Sequence, residues 1–248
     1  MAAAAGDGYL SVVEWLHANR SEGCSRDAMN RAARYGFLSV VLEWLHANRS
    51  EGCDERAMNL AALNNHLSVV EWLHTNRSEG CTTHAMDVAA ENGHLAVVEW
   101  LHVNRSEGCT EAAMDGASRQ GHLSVVKWLH AARSEGCTKA AVELASGNGH
   151  LSVVKWLCNN CSQSCNMNTA AWRSILLETI ERGYICVAAW LLTNSSEVAK
   201  HKHCKRAQQA IKQAISKYLD TLTHSTLPAR QQIHLNLEKK LFGPLQDN

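Results

Sequence analysis

The chain has 248 residues, 46% of them hydrophobic, and 24 basic against 24 acidic residues, so its formal net charge is zero. That length and composition allow one or two domains with a buried core, and the balanced charge argues against whole-chain attraction to polyanions. No run approaches the ~20 apolar residues of a membrane span, the start has no basic region followed by an apolar core, and six of the ten cysteines hold one repeat position, so reduced thiols in a protein of the cytoplasm or nucleus are expected.

Self-similarity governs the order of elements. Trp44, Trp72, Trp100, Trp128 and Trp156 recur every 28 residues, and Cys53 to Cys165 and His66 to His150 keep the same step. Such a period marks one supersecondary unit stacked on itself. Met1–Gly8 aligns with Met86–Gly93, so the sequence opens inside a first helix, a half-repeat expected to fray. The next unit reads "VVLEWL" where the others read "VVEWL" or "VVKWL". The extra Leu42 would rotate the rest of its helix by ~100°, which predicts a π-bulge.

The regular unit is clearest from Thr82 to Cys109. Thr82 or Thr83 caps a first helix, and Met86, Ala89 and Ala90 form its apolar stripe. Gly93 ends it, because left-handed backbone favours a residue without Cβ. A second helix follows, with Leu95, Val98 and Leu101 on one face, widened by Val97 and Trp100. "RSEG" closes the unit as a polar turn. From Cys165 to Gly183 the spacing is six residues longer than in the other units. It predicts a longer helix with Trp172, Leu176 and Ile180 on one face, and Trp190 then resumes the tryptophan column, as in a C-terminal cap. Residues 195–248 leave the repeat. Ala207, Ile211, Ala214, Ile215, Tyr218 and Leu222 predict one tail helix, and Ile233, Leu237 and Leu241 a second, opened by Pro228 and stopped by Gly243 and Pro244. Packing of this tail on the array is expected, since an exposed apolar stripe is a liability.

The stretch "AAENGHLAVVEWL" resembles the ankyrin repeat, whose usual wording is near A-A-x-x-G-H-x-E-V-V-K-L-L-L, and the likeness runs from about Ala4 to Leu192. Two departures stand out. The unit has 28 residues where the ankyrin repeat has about 33, and the missing ones fall where ankyrin repeats place a β-hairpin finger. The T-P-L-H tetrapeptide is replaced, in one unit by His84-Ala85-Met86-Asp87. Asn30, Asn59, Asp87, Asp115 or Glu143 stands at its histidine position and is expected to take over the hydrogen bonding. The shortened unit is similar to those of the expanded oomycete ankyrin-repeat families. The resemblance implies an all-α solenoid of stacked helix-turn-helix units with short or missing fingers. Residues 1–194 form the array, a half-repeat, about five full repeats and a longer cap, and residues 195–248 a helical tail.

Several groupings invite chemistry and have plainer readings. The histidine columns, His94 and His102 with their equivalents, recur in stacked units roughly 10 Å apart. A metal needs its ligands at about 2 Å, so these histidines are read as bonding the adjoining turn. Cys158, Cys161 and Cys165 have metal-like spacing, with Cys186, His201, His203 and Cys204 downstream. Buried or half-buried thiols are the first reading there and a zinc-stabilised repeat protein the alternative. The tryptophan column is read as core, each indole burying ~150–250 Å². Lys200, Lys202, Lys205, Arg206, Lys212 and Lys217 make the 200–217 segment basic. A solvated face is its first reading and an anionic or nucleic-acid partner the alternative. No phosphate loop, nucleophile–base pair or carboxylate pair departs from the repeat, so no catalytic residue, metal, cofactor or enzyme activity is expected.

Comparison of the units with one another separates two kinds of position. "RSEGC", "AM" and "VVEWL" barely change. Variation gathers at the start of the first helix and just after its alanine pair. These positions are Arg26, Asp27, Arg31, Arg34 and Tyr35; Glu55, Arg56, Leu63 and Asn64; Thr83, His84 and Glu91; Glu111, Arg119 and Gln120; Lys139 and Asn148. In ankyrin-like stacks such residues line the concave surface and its rim. The resemblance therefore implies a scaffold that binds a partner protein there, as a monomer, without membrane or nucleic acid.

Overall fold

The computed structural model describes residues 1–21 and 23–194. The expected tail helices and the basic 200–217 segment lie outside the described residues. The chain divides into two compact units, Met1–Cys137 and Thr138–Asn248, the second described as far as Asn194.

The first unit begins with the half-repeat, α1 (Ala2–Gly6) and α2 (Leu10–Asn19). Helix pairs follow: α3 (Asp27–Arg34) with α4 (Glu43–Asn48), α5 (Arg56–Leu63) with α6 (Leu67–Asn76), α7 (Thr83–Glu91) with α8 (Leu95–Asn104), and α9 (Glu111–Arg119) with α10 (Leu123–Ala132). The first helices α1, α3, α5, α7 and α9 pack on one another in series. Alanine makes this possible. Ala32, Ala33, Ala61, Ala62, Ala89, Ala90 and Ala117 are fully buried, and a methyl group is all that separates neighbouring backbones. Met29, Met58, Met86 and Met114 fill the gaps beside them. The second helices contribute Val69, Val70 and Leu73, then Val97, Val98 and Leu101, then Val125, Val126 and Leu129, all buried. Each such side chain is worth ~1.5–3 kcal/mol of transfer free energy.

Local signals set the helix ends. Thr82 and Thr110 cap α7 and α9, their hydroxyls accepting from the N–H groups of His84 and Ala112. Asp54 does the same work ahead of α5, accepting from the Arg56 N–H at 3.1 Å. The expected π-bulge is present: residues Leu38–Leu42 form a π-turn that runs into α4. Leu42 is fully buried, and the turn restores the register, since Trp44 meets His17 at 5.2 Å just as Trp72 meets His46. Where a finger hairpin would stand, the chain runs extended through Arg49, Arg77, Arg105 and Arg133. No strand occurs among the described residues.

The second unit holds α11 (Lys139–Gly147), α12 (Leu151–Asn160), α13 (Ser162–Cys165), α14 (Thr169–Glu181) and α15 (Ile185–Asn194). The six extra residues go into the link after Cys165 and the lengthened α14, while the short α13 takes the place of the "RSEG" turn. Trp172 and Leu176 are buried as expected, joined by Ile175 and Thr179, while Ile180 is only half-buried. The Arg182 guanidinium donates to the Gly147 carbonyl at 2.9 Å, tying α14 to α11.

One expectation is corrected. The tryptophans are not core: Trp44, Trp72, Trp100, Trp128 and Trp156 are half-buried, and Trp15 is 58% exposed. The Val and Leu residues take the inner face of the second helix, and the indole lies on its flank. In Met1–Cys137 its edge-to-face partner is the histidine that ends the preceding second helix, as for His74 and Trp100 at 5.3 Å.

The glycine after a regular first helix has two duties. Gly93 has φ +77°, and a Cβ there would come within 2.7 Å of the His122 ring of the next pair. Asn65 holds the same station at φ 62°, and its successor's ring behaves differently: Nε2 of His94 lies 3.0 Å from the Leu63 carbonyl. Gly93→Ala should therefore cost at least the ~1–2 kcal/mol of left-handed backbone strain, measured by urea unfolding. Unchanged stability would show that the ring contact and the backbone both relax freely.

Candidate functional site

The residues that recur most faithfully form a ladder between units. In the first turn of this kind, Arg49 Nε donates to Glu51 Oε2 at 3.1 Å, and its Nη2 pairs closely with Oε1. Arg49 Nη1 also donates to Nδ1 of His17, 3.1 Å away in the preceding unit. Glu51 Oε1 accepts the backbone N–H of Cys24, again in the preceding unit, at 3.1 Å. The motif repeats as Arg77 with Glu79 and His46, Arg105 with Glu107 and His74, and Arg133 with Glu135 and His102. Arginine has no acceptor, so each histidine must present an unprotonated Nδ1.

The glycine of "RSEG" makes room for this ladder. A Cβ on Gly80 or Gly108 would lie 2.5 Å from the next unit's guanidinium. The charges of this polar turn clamp the units together. The Arg49 guanidinium beside Glu51, helped by the Cys24 N–H, holds the carboxyl down at about 2. Arg105 and Arg133 lower Glu107 and Glu135 in the same way. Behind the ladder, burial pushes the Cys53, Cys81 and Cys109 thiols up to about 11, so these sulfurs are packing groups, not nucleophiles.

A second set of bonds joins the first helices. Asn30 donates to Asp54 Oδ1 at 2.9 Å, and Asn59 donates to the Thr82 hydroxyl at 3.0 Å. Asp87 accepts both the Thr110 N–H and the Thr110 hydroxyl, at 2.8 and 2.9 Å. The expected replacement of the missing histidine holds at Asn30, Asn59 and Asp87.

The variable residues lie at the starts and ends of the first helices. In Met1–Cys137, Arg26, Arg31, Arg34, Tyr35, Glu55, Arg56, Asn64, His84, Glu111, Arg119 and Gln120 are exposed, while Asp27, Leu63, Thr83 and Glu91 are half-buried. In the second unit Lys139 is exposed and Asn148 half-buried. Some are brought together. Arg56 pairs with Asp54 at 2.8 Å and with Asp27 at 3.3 Å, Arg119 lies 3.9 Å from Glu91, and the Arg34 guanidinium sits 5.4 Å from the Tyr35 ring centre. Arg31 and Tyr35 also lie against Gly6 of α1. Others have local duties: Asn64 and Asn148 donate to the Leu60 and Leu144 carbonyls and so finish their own helices.

The zinc alternative finds no ligand set in the described residues. No group of three His, Cys, Asp or Glu side chains is arranged to hold a metal ion there. Cys158 and Cys165 touch, with Cys161 buried nearby, and His201, His203 and Cys204 lie outside the described residues. The crevices beside Cys24, Cys53 and Cys109 are too shallow to enclose a small molecule. No described helix is long and apolar enough to cross a membrane.

Paired helices, joined to like pairs through side chains at fixed stations, define an α-helical repeat protein. Residues 1–110 and 86–170 match the family model for ankyrin repeats (3 copies), and the chain belongs to the ankyrin repeat family. Comparison with curated proteins finds no match. Ankyrin repeats in general mediate protein–protein interaction and are typically non-enzymatic.

The ladder was not anticipated from the sequence, although its signal was there: His46, His74 and His102 precede Arg77, Arg105 and Arg133 by a constant interval. It also predicts an acid response. Folded Glu51 holds its proton far more weakly than an unfolded glutamate near 4.5. Its contribution is complete above that value and is lost as the pH falls towards 2. Denaturant unfolding from about pH 5 to about pH 2 should show stability falling with acid, and Glu51→Gln should flatten part of the slope. A slope identical in the variant contradicts the clamp.

Proposed function

We propose that the chain is a non-enzymatic scaffold that binds a partner protein through the exposed starts and ends of the first helices in Met1–Cys137, acting as a monomer in the cytoplasm or nucleus. One observation carries this reading: the recurring Arg, Glu, His and Ala residues are committed to contacts within the stack, and most of the residues that differ from unit to unit are exposed. Arg34 and Tyr35 are the natural anchors. They offer a guanidinium and a 51%-exposed ring side by side, the residue types that dominate interface energetics. Arg26 and Arg31 on the same stretch favour a partner surface that carries carboxylates. Arg56 and Arg119 already meet Asp54, Asp27 and Glu91, so they add orientation more than net charge.

Affinity capture with the intact chain, followed by titration of the captured partner, tests the reading. Arg34→Ala and Tyr35→Ala should each weaken binding by about tenfold or more, with circular dichroism and unfolding midpoint unchanged. Full affinity in both variants places the interface elsewhere.

A further inference from the structure

The unit that ends in α12 breaks the ladder in a chemically specific way. Cys158 stands where the other units carry histidine, Cys161 where they carry arginine, and Gln163 where they carry glutamate, while Cys165 keeps the repeat cysteine. The charged clamp residues are thus replaced by two thiols and an amide, beside the repeat cysteine. The structure brings two of the thiols together: an S–H···S hydrogen bond joins Cys158 and Cys165, with the sulfurs 3.0 Å apart. Both residues are half-buried, neither sealed from solvent, whereas Cys161 is 8% exposed. The short α13 fixes the approach. The Ser164 hydroxyl, fully buried, donates to the Cys161 carbonyl at 2.9 Å and closes the turn that carries Cys165 back towards the last turn of α12.

We propose that Cys158 and Cys165 are a dithiol site that closes reversibly into a disulfide by exchange with a small-molecule disulfide of the glutathione class. The geometry asks for little movement, since a disulfide bond is about 2.05 Å long, so the sulfurs need to close by about 1 Å. The two thiols are also electrostatically distinct. The hydrogen bond to Cys165 pushes the Cys158 thiol up, and the same bond favours the thiolate of Cys165, drawing its value down. Cys165 is therefore the attacking group and Cys158 the resolving one.

The exchange balances in two steps. The Cys165 thiolate attacks one sulfur of the small disulfide, forming a mixed disulfide and expelling one small thiolate. That thiolate takes the Cys158 proton, and the Cys158 sulfur then attacks Cys165 and expels the second small thiolate, which is protonated from solvent. Two protein thiols are oxidised, one small disulfide is reduced to two thiols, and the bridge ties the end of α12 to α13. A covalent link then joins the station where the other units carry histidine to that of the repeat cysteine. This inference is independent of the partner-binding surface in Met1–Cys137.

The full chain, reduced and transferred to chelator-containing buffers of graded reduced-to-oxidised glutathione, tests it. Free thiols are blocked with one alkylating label, bridged ones are reduced and marked with a second, and fragmentation mass spectrometry places each label. The expected result is second label on Cys158 and Cys165 together, rising as the buffer becomes oxidising and abolished by dithiothreitol. Cys161→Ser should keep the bridge at the same poise, and Cys158→Ser should stop at glutathione on Cys165. No bridge across the whole range, a bridge through Cys161, or glutathionylated Cys165 as the end product in the native chain overturns the proposal. The native chain alone decides the main outcome, so the result does not depend on how a variant folds.

Discussion

The arginine that opens each "RSEG" turn is the constraint on which the rest of the stack depends. One guanidinium grips its own glutamate and reaches back to a histidine of the preceding unit, and that glutamate takes a backbone N–H from the unit it reaches. An isolated surface ion pair is worth ~0–1 kcal/mol. These pairs differ in two respects. Their side chains are only 17–26% exposed, and the carboxylate is met by two parallel donors, the geometry in which arginine is strongest. Glycine is favoured beneath them because the backbone there is left-handed, φ 73° at Gly80 and Gly108, and the guanidinium occupies the space a Cβ would need.

A clamp built from recurring residues leaves other positions free. The first helices pack through alanine, methionine and the Asn–Asp, Asn–Thr and Asp–Thr bonds. None of these requires a particular residue at the outer starts and ends of those helices. Arg34 and Tyr35 in one unit, Leu63 and Asn64 in the next, and Arg119 and Gln120 further on occupy matching stations with unrelated chemistry. Such tolerance is what a repeat scaffold needs if its stability and its binding surface are to vary independently.

The stack itself was readable from the 28-residue step at which tryptophan, cysteine and histidine recur. The π-turn at Leu38–Leu42 was also readable, since one inserted residue leaves few ways to restore register. The role of Asn59 and Asp87 followed from their station. The ladder did not, because its partners lie 31 or 32 residues apart, beyond any helical or turn periodicity. The tryptophans misled for a related reason. Their spacing matches the apolar stripe of the second helix, but Val69, Val70 and Leu73 already fill the inner face, so Trp72 is left on the flank against His46. The Cys158–Cys165 contact depends on the short α13, which no periodic pattern announces.

The most direct test of the ladder is a double-mutant cycle across one rung, with His74→Ala, Arg105→Ala and the double variant compared by urea unfolding. These side chains meet at 3.3 Å between successive units. A coupling energy of ~0.5–3 kcal/mol is expected for residues in one hydrogen-bonded network. Strict additivity of the two single losses would contradict the claim that arginine joins each unit to the one before it.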